Sequence, residues 1–402
     1  MAAIYLDHNA SAPLPECVAT EIPALLREVY GNPSSLHAPG RRARRLINDA
    51  QDELAAYLNC SHQQIFWTSC GSEGNSWAMA SAVARARAEH PERAPRVLIS
   101  AMEHDSVISS AEDMKEHGVI VDIIPVTCAG LVDTVALAQL LEQPADLVVV
   151  MHANNETGVI QPVAEISSLC QARGVLYLCD AVQTFGKIPL DLSTLGAAYI
   201  TFSGHKIGAP KGVGFLVVTA KGRVLYPLIH GKQQKGLRGG TENTIGAAIV
   251  GRVVHALRKD DVVWGAALGG MHRRFEAALK ERIPGLIIHG EGVPRLPNTS
   301  FIGFEGVEGD GVLLNLDLQG VAASSGSACS SGSINPSSTL LAMGCDAKMA
   351  RSSVRFSSGF TTSWEDFEKV IDVLPPIVER IRRTGANRQD KVRRPATLEV
   401  SS

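Results

Sequence analysis

The segment from Asp180 to Lys206 contains the residue types that could carry chemistry. It is DAVQTFGKIPLDLSTLGAAYITFSGHK: Asp180 ends one apolar run, Gln183 comes three residues later, and Ser203 to Lys206 end a second apolar run. Pyridoxal phosphate (PLP) chemistry needs a carboxylate that keeps a pyridine nitrogen protonated, a lysine amine that bonds to the cofactor, and small polar groups that bind phosphate. The segment therefore predicts the cofactor before it indicates a substrate.

Lys206 is the predicted attachment point of the cofactor. At the end of an apolar run, desolvation lowers the pKa of an amine and favours the neutral form that bonds to the cofactor. Lys211 is the local alternative, but GAPKGVG around it indicates a turn into another strand. Asp180 could cap a turn or pair with the pyridine nitrogen, and Gln183 could donate to the phenolic oxygen of the ring. Cys179 alternates to the other face of the strand and is expected in the core.

The segment SCGSEGN joins a predicted strand to a predicted helix and could bind the phosphate. Free backbone N–H groups and the helix dipole favour an anion at such a junction, where Gly71 allows close approach and Ser72 supplies a hydroxyl. Many such turns only cap a helix. His104 follows another predicted strand, and it could stack on the cofactor ring or cap the next helix.

Asn154, Asn155 and Arg355 are candidates for binding the substrate. Amides in such loops commonly stabilise turns, but in a crevice one of the two could hold a carboxylate or the ring oxygen. An arginine at a domain interface suits bidentate carboxylate capture, with a surface ion pair as the alternative. Cys329 lies in SSGSACSSGS, a loop too polar to bury it, so we expect an exposed and reactive thiol.

Short apolar runs alternate with helical patterns from residue 65 onward. This alternation indicates an α/β fold with a parallel sheet covered by helices on both faces. Ligands of such sheets bind at the carboxyl ends of the strands, so one crevice could collect the residues that follow strand ends. These residues are Ser69–Ser72, His104, Asn155, Asp180 and Ser203–Lys206.

The pattern changes near residue 260 to that of a smaller α+β domain. A chain of 402 residues is too long for one simple core, so two domains are expected. We predict a large PLP-binding domain at 16–259, a small domain formed by 1–15 and 260–385, and a flexible polar tail at 386–402.

The composition gives no sign of a membrane or nucleic-acid partner. Apolar residues make up 45% and charged residues 20%, with a formal net charge of −3. No apolar stretch nears the roughly 18 residues of a membrane span, and no signal-peptide pattern is present, so a cytoplasmic location is expected. The RRARR run at 41–45 is expected on the solvated face of a helix. Eight scattered cysteines without a CxxC pair argue against a zinc site or a disulfide framework.

Ten landmarks of this chain, taken in order, resemble the NifS/IscS-type cysteine desulfurases of the class V aminotransferase superfamily of PLP enzymes. The resemblance covers about residues 4–375, and it implies a PLP-transferase (aspartate aminotransferase-like) large domain with a smaller α+β C-terminal domain. The landmarks are YLDHNASAPLP, YGNPSSLHAPGRRAR, FWTSCGSEGN, AMEHDSV, HANNETGVIQP, DAVQTFGK, TFSGHKIGAPKGVG, GLRGGTEN, SSGSACSSGS and SVRFSSG.

The resemblance implies a set of cofactor-binding residues. Lys206 would carry PLP, Asp180 would pair with its pyridine nitrogen, and Gln183 would contact its phenolic oxygen. His104 would stack on the ring and assist proton transfer. The residues that would hold the phosphate are Gly71, Ser72, Ser203, His205 and, from the other subunit of a homodimer, Thr241.

The resemblance also implies the reaction, which converts L-cysteine to L-alanine. Asn155, which would also contact the cofactor, and Arg355 would bind the substrate carboxylate. Lys206 could remove the α-proton, and the Cys329 thiolate would attack the substrate sulfur and keep it as a persulfide. The sulfur would then pass to a protein acceptor or an iron–sulfur scaffold, and Cys329 could serve as a transient ligand of an iron–sulfur cluster.

One landmark departs from the family pattern, which often has three glycines, His or Gln, and then Glu. Here His230 and Lys232 interrupt the glycines and Gln234 replaces the acid, although Thr241 is retained. A selenocysteine lyase of the SufS-like branch is the first alternative, but its Arg-x-Gly-His-His-Cys context is absent. A plain class V aminotransferase would not need Cys329, and a catalytically silent scaffold would not need Lys206. Iron–sulfur assembly, nitrogenase maturation, tRNA thiolation and DNA sulfur modification all stay open as destinations of the sulfur.

Overall fold

The computed structural model describes residues 4–219, 222, 225–259, 265–326 and 336–393, so Cys329 lies outside the described residues. The strands are β1 Ile4–Tyr5, β2 Ile65–Thr68, β3 Arg96–Ser100, β4 Ile120–Ile124, β5 Leu147–Val149, β6 Leu176–Asp180, β7 Tyr199–Ser203, β8 Gly214–Val218, β9 Leu286–Ile288, β10 Thr299–Phe304, β11 Val321–Ala322, β12 Ser324–Ser325 and β13 Ser353–Ser357. The helices are α1 Glu16–Ala19, α2 Ile22–Glu28, α3 Ala38–Leu58, α4 Gly71–Glu89, α5 Asp105–Glu116, α6 Thr134–Leu140, α7 Val163–Ala172, α8 Leu192–Leu195, α9 Thr244–Arg258, α10 Ala266–Arg282, α11 Gly309–Leu318, α12 Ser338–Ala342, α13 Ala347–Arg351 and α14 Trp364–Arg393.

A seven-stranded sheet with the order β2-β8-β7-β6-β5-β3-β4 forms the centre of the larger part. The neighbours from β7 to β4 pair in parallel, whereas β8 is antiparallel to both β7 and β2. Only residues 204–213 connect β7 to β8, and that is too short for the crossover that a parallel pair requires. The sheet is therefore mainly parallel, as the alternating pattern predicts.

Helices cover both faces of this sheet, and strand β6 shows how the two cores divide. Tyr177 and Cys179 pack into the core shared with α3, α7 and α9. Leu178, which points the other way, packs into the core shared with α4 and α5. Cys179 is fully buried, which raises the pKa of its thiol, so the prediction of a core cysteine is confirmed.

The smaller part is built on an antiparallel sheet with the order β12-β13-β10-β9. Helices α10, α11 and α14 cover it with a separate apolar core. The N-terminal strand β1 pairs with β11, and the chain then passes Asp7, which bridges to Ser357 on β13. Residues 8–11 therefore leave the smaller part beside the carboxyl ends of the central strands. The two-domain division at 16–259 stays a prediction.

Helix α3 contains the RRARR run, and helix α14 reaches into the predicted tail. Helix α3 begins at Ala38 because His37 caps it and Pro39 occupies its first turn, where no intrahelical N–H bond is lost. Helix α14 continues to Arg393, so residues 386–393 of the predicted tail are helical. Residues 394–402 lie outside the described residues.

The charged and apolar surfaces agree with the composition. Arg41, Arg42 and Arg45 of the RRARR run are exposed on α3, and Arg44 pairs with Glu242. Within the described ranges, no helix combines the length and the apolar character that crossing a bilayer requires.

Candidate active site

A pocket of about 680 Å³ opens at the carboxyl ends of the central strands. It collects most of the residues that the sequence singles out, because Asp180 ends β6, Ser203 ends β7 and Gly71 begins the helix after β2. The predicted site residues that line it are Gly71, Ser72, His104, Asn155, Asp180, Gln183, Ser203, His205, Lys206 and Arg355.

Lys206 reaches the pocket from a single helical turn, Gly204–Lys206, that follows β7. Its Nζ donates to the backbone carbonyls of Asn9 at 2.6 Å and Ala10 at 2.9 Å. These acceptors hold the amine at the pocket wall. Lys211 is exposed and does not line the pocket. The geometry therefore favours Lys206 as the attachment point.

Asp180 is held by two donors of the chain. Its Oδ1 accepts from the backbone N–H of Val182 at 3.0 Å, and its Oδ2 accepts from Asn75 Nδ2 at 2.7 Å. Asn75 lies on the buried face of α4 and also donates to Ser106 at 3.2 Å. Asn75 is not among the residues predicted from the sequence, although a polar residue on the buried face of an alanine-rich helix is a signal that could identify it.

Replacing Asn75 with alanine should loosen Asp180 and weaken cofactor binding. The lost hydrogen bond joins a buried amide to a carboxylate, a type of contact worth about 1.5 kcal/mol or more, so we expect the Kd for PLP to rise about tenfold. Titration of the apoprotein with PLP would measure it, with the exposed Asn48→Ala on α3 as the control. An unchanged Kd would show that Asn75 does not support Asp180.

Glu103 is a buried carboxyl group next to the site. Burial raises its pKa to about 8, although the Ser100 hydroxyl and the N–H of Met151 at 2.9 Å both donate to it. Its Oε2 has no hydrogen-bond partner among the described residues. Glu103 is thus mostly protonated at neutral pH, which avoids a second negative charge near Asp180.

This raised pKa predicts a pH dependence of stability. Unfolded Glu103 ionises near pH 4.5 and folded Glu103 only near pH 8, so between these values the folded state holds the extra proton. The free energy of unfolding should fall as pH rises through this window, by up to about 1.4 kcal/mol per pH unit. Urea-unfolding midpoints would be measured at about pH 5.5 and about pH 7.5, which both lie inside this window. Between these two pH values, Glu103→Gln should lose less stability than the wild type. Equal losses would contradict this assignment.

The first turn of α4 forms the end of the pocket suited to a phosphate. A Cβ on Gly71 would lie 2.9 Å from Val182 Cγ2, so this close approach requires glycine. Unpaired N–H groups of a helix start favour an anion. The acidic Glu73 in the same turn does not oppose this, because Arg238 contacts its Oε1 at 2.9 Å.

Basic and hydroxyl side chains complete that end of the pocket. Ser72 is exposed at the helix start, whereas Ser203 is buried at the end of β7. Burial lowers the pKa of His205 to about 4, with Lys206 and other lysines adding to the effect. His205 is therefore neutral at physiological pH and can donate a hydrogen bond without adding charge.

His104 caps the next helix, one of the two roles that the sequence leaves open, and its stacking on the cofactor ring stays a prediction. Its Nδ1 accepts from the backbone N–H of Ser106 at 3.1 Å, so it caps α5, and the residue also lines the pocket. Because Nδ1 accepts, a neutral ring carries its proton on Nε2. Capping therefore fixes the tautomer of a ring that faces the cofactor site.

The two neighbouring asparagines have different environments. Asn154 is buried and stabilises the turn, since its Oδ1 accepts from the N–H groups of Glu156 and Thr157, each at 2.9 Å. Asn155, in contrast, lines the pocket. The turn-forming alternative thus applies to Asn154, and ligand binding by Asn155 stays a prediction.

Arg355 on β13 is 2% exposed at the side chain and faces the pocket. Its Nη2 contacts Asp7 Oδ1 at 2.7 Å and its Nη1 donates to the carbonyl of Asn155 at 2.9 Å. Its Nε–H is buried without a hydrogen-bond partner among the described residues. The ion pair is therefore not a surface pair, and a buried donor remains for a ligand carboxylate.

Thr241 is exposed and does not line this pocket in the single chain. In the segment that departs from the family pattern, His230 and Lys232 are exposed. Gln234 instead pairs with the edge strand β2, accepting from the N–H of Trp67 at 2.6 Å and donating to its carbonyl at 2.8 Å. Gln234 thus satisfies backbone groups of an edge strand, a task that a glutamate could only half perform.

The chain that carries Cys329 leaves from the pocket wall. Gly326 lines the pocket, and a Cβ there would lie 2.0 Å from Glu156 Oε2. The same carboxyl oxygen accepts from the Ser337 hydroxyl at 2.5 Å. Glu156 therefore contacts the chain on both sides of residues 327–335, which lie outside the described residues together with the predicted sulfur acceptor and transient cluster ligand, Cys329.

The donor set fits PLP. Its elements are an amine at Lys206, a carboxylate held by two donors at Asp180, and an anion site at Gly71 where a side chain would not fit. Within the described part of the chain, no group of three or more His, Cys, Asp or Glu side chains could hold a metal ion.

Comparisons with known proteins agree with this fit. The aminotransferase class-V family model matches residues 4–370. A cysteine desulfurase of Nostoc sp. is 37% identical over 97% of this chain and 96% of its own. The cysteine desulfurase NifS of Azotobacter vinelandii is 37% identical over 96% of this chain and 95% of its own.

Solved structures share the fold. A NifS-like protein superimposes with a TM-score of 0.83 at 29% identity, covering 96% of this chain and 100% of its own. The structure of SspA in complex with cysteine gives a TM-score of 0.77 at 26% identity, covering 90% and 100%.

These similarities establish the fold and the cofactor. The mainly parallel sheet with its helices is a PLP-transferase fold, and the cofactor is PLP. Because the family model matches most of the chain and relatives match nearly all of it, this chain belongs to the aminotransferase class-V family.

Proposed function

We propose that this chain is a cysteine desulfurase. It converts L-cysteine and the Cys329 thiol to L-alanine and a Cys329 persulfide, so the C–S bond of the substrate breaks, an S–S bond forms and no external oxidant is consumed. The observation that carries the proposal is the position of Gly326 in the wall of the Lys206 pocket. Cys329 follows Gly326 by three positions, a span of at most about 11 Å, so the length of the chain allows its thiol to reach the pocket.

Arg355 and Asn155 bind the substrate carboxylate in this proposal. The Nε–H of Arg355 is the buried donor without a partner, and a carboxylate would satisfy it. The Asp7 contact fixes the guanidinium plane, and the Asn155 carbonyl fixes its other end. The substrate is thereby oriented with its amino group toward Lys206.

Lys206 acts on the α-proton of the substrate, and Asp180 helps to stabilise the negative charge that develops when this proton leaves. When bound, PLP supplies an electron sink for the negative charge that develops at the substrate Cα. Asp180 favours the protonated ring nitrogen that makes this sink effective. Lys206 removes the α-proton, since its amine lies in the same pocket as the substrate-binding residues. His104 would stack on the ring, with the proton of its neutral form on Nε2.

Cys329 then attacks the substrate sulfur as a thiolate, as in thiol–disulfide exchange. The electron pair of the breaking C–S bond stays on the carbon side, which takes a proton and leaves as alanine. The sulfur stays on Cys329 until an external acceptor takes it. Relatives named cysteine desulfurase, and a neighbour solved with cysteine, support this substrate.

The remaining parts of the proposal concern partners and location. Thr241 is exposed and outside its own pocket, as expected if it completes the phosphate site of a second subunit in a homodimer. A protein sulfur acceptor or an iron–sulfur scaffold would receive the sulfur, as expected from the IscS and NifS relatives. A cytoplasmic location suits the reaction, because Cys329 must stay reduced between turnovers.

Product analysis separates the proposal from its alternatives. With L-cysteine and a thiol reductant, alanine and sulfide should form in equal amounts. A keto acid in place of alanine would identify an aminotransferase, and a much higher kcat/KM with L-selenocysteine would identify a selenocysteine lyase. PLP-loaded protein that forms no product from either amino acid would identify a scaffold.

A further inference from the structure

Lys187 is a buried lysine that the proposed reaction does not use. It is 2% exposed and lies between β6 and α8. Its Nζ donates to Asn9 Oδ1 at 2.7 Å and to Gln183 Oε1 at 2.8 Å. Lysine is rarely buried this deeply, because burying an amine costs free energy unless polar partners satisfy it.

The contacts of Lys187 define which way the Gln183 amide points. Lys187 donates to Oε1, and Gln183 Nε2 donates to the backbone carbonyl of Asn9 at 3.0 Å. A flipped amide would place its oxygen against that carbonyl, where neither atom can donate. Nε2 has a second N–H, which is directed away from Asn9, and Gln183 lines the cofactor pocket.

Asn9 is itself held independently of Lys187. Its Nδ2 donates to Thr299 Oγ1 at 2.9 Å, and its Oδ1 also accepts from Asn298 Nδ2 at 3.1 Å. The Asn9 carbonyl accepts from Lys206 as well. Lys187, Gln183 and Lys206 thus share one fixed acceptor residue that is anchored to β10.

We propose that Lys187 is a positioning residue for the cofactor, which holds the Gln183 amide so that an N–H, and not the carbonyl, faces the phenolic oxygen of PLP. The inference rests on the PLP-binding part of the proposed function and not on cysteine as the substrate.

The charges around Lys187 agree with a role in the site. Burial lowers the pKa of Lys187 well below its usual value, and Lys206 and Arg355 lower it further. Lys187 in turn lowers the pKa values of His8 and His205.

A pH titration of the visible absorbance of the holoenzyme tests the proposal without substrate. A donor to the phenolic oxygen stabilises the negative charge of that oxygen, which lowers the pKa of the proton between it and the Lys206 nitrogen. Loss of the donor should therefore raise the pH midpoint of the absorbance change, and we expect Lys187→Met to raise that midpoint by about one unit. Lys211→Met, an equal change at an exposed lysine, should leave the midpoint unchanged.

The double variant distinguishes positioning from a general effect of charge or folding. In a Gln183→Ala background, Lys187→Met should add little, because the amide that it orients is absent. An equal shift in both backgrounds, or no shift in Lys187→Met, would overturn the proposal.

If Lys187→Met does not fold, Gln183→Glu provides the test. It keeps an acceptor for Lys187 but has no N–H for the phenolic oxygen, so the midpoint should rise. An unchanged midpoint would overturn the proposal. These outcomes do not depend on whether the enzyme forms alanine, so failure of the desulfurase assignment would be recognised separately.

Discussion

Replacing Lys206 with alanine should abolish covalent attachment of PLP and reduce turnover by at least about 10²–10⁴-fold, the contribution of a proton-transferring group. The physical reason is that Lys206 supplies both the amine that bonds to the cofactor and the base for the α-proton. No other lysine side chain lines the described pocket, so none can replace it. Visible absorbance of the PLP-loaded variant and its rate of alanine formation would measure both losses.

Lys211→Ala is the matched control for this variant, because Lys211 lies on the same segment but outside the pocket. Borohydride reduction followed by peptide mass analysis would locate the modified lysine. PLP attached to a residue other than Lys206 in the wild type would contradict the account. Retention of more than about one hundredth of the activity in Lys206→Ala would contradict it too.

Replacing Cys329 with alanine should leave the absorbance of bound PLP unchanged but reduce sulfur transfer to background, by at least about 10²-fold. The residue holds no predicted cofactor contact, so the cofactor should not sense the change. The substrate sulfur, however, loses its nucleophile, and proximity in the pocket is worth orders of magnitude in rate. Persulfide formation and alanine formation should fall together.

Cys128→Ala is the control, since the Cys128 thiol is free and exposed. Alanine formation at the wild-type rate in Cys329→Ala would leave a PLP lyase and remove the persulfide step. Loss of activity in Cys128→Ala, with activity kept in Cys329→Ala, would show that Cys128 and not Cys329 is the sulfur acceptor.

The sequence predicts the parts of the site that depend on local pattern. Asp180, Ser203 and His104 each come at or just after the end of an apolar strand, and parallel strands bring such ends to one edge of a sheet. The antiparallel direction of β8 is less evident, because an apolar run does not record its direction. The length of the connection before it is the one clue.

Residues that support the site from a distance could not be predicted in this way. Asn9 meets Lys206 across 197 positions of the chain, and no local period links two such residues. Lys187 lies inside a recognised landmark, but a lysine is expected in solvent unless the structure supplies buried acceptors. A buried polar position could mark Asn75, but its partner Asp180 lies 105 positions away, and Glu103 meets the N–H of Met151 across 48 positions.

The most direct test of the central claim is a single turnover of the PLP-loaded protein with L-cysteine in the absence of any reductant. Alanine would be quantified and the peptide containing Cys329 weighed in the same sample. The account predicts one alanine for each Cys329 that gains one sulfur atom. Alanine without added sulfur on Cys329, or a keto acid in place of alanine, would contradict it.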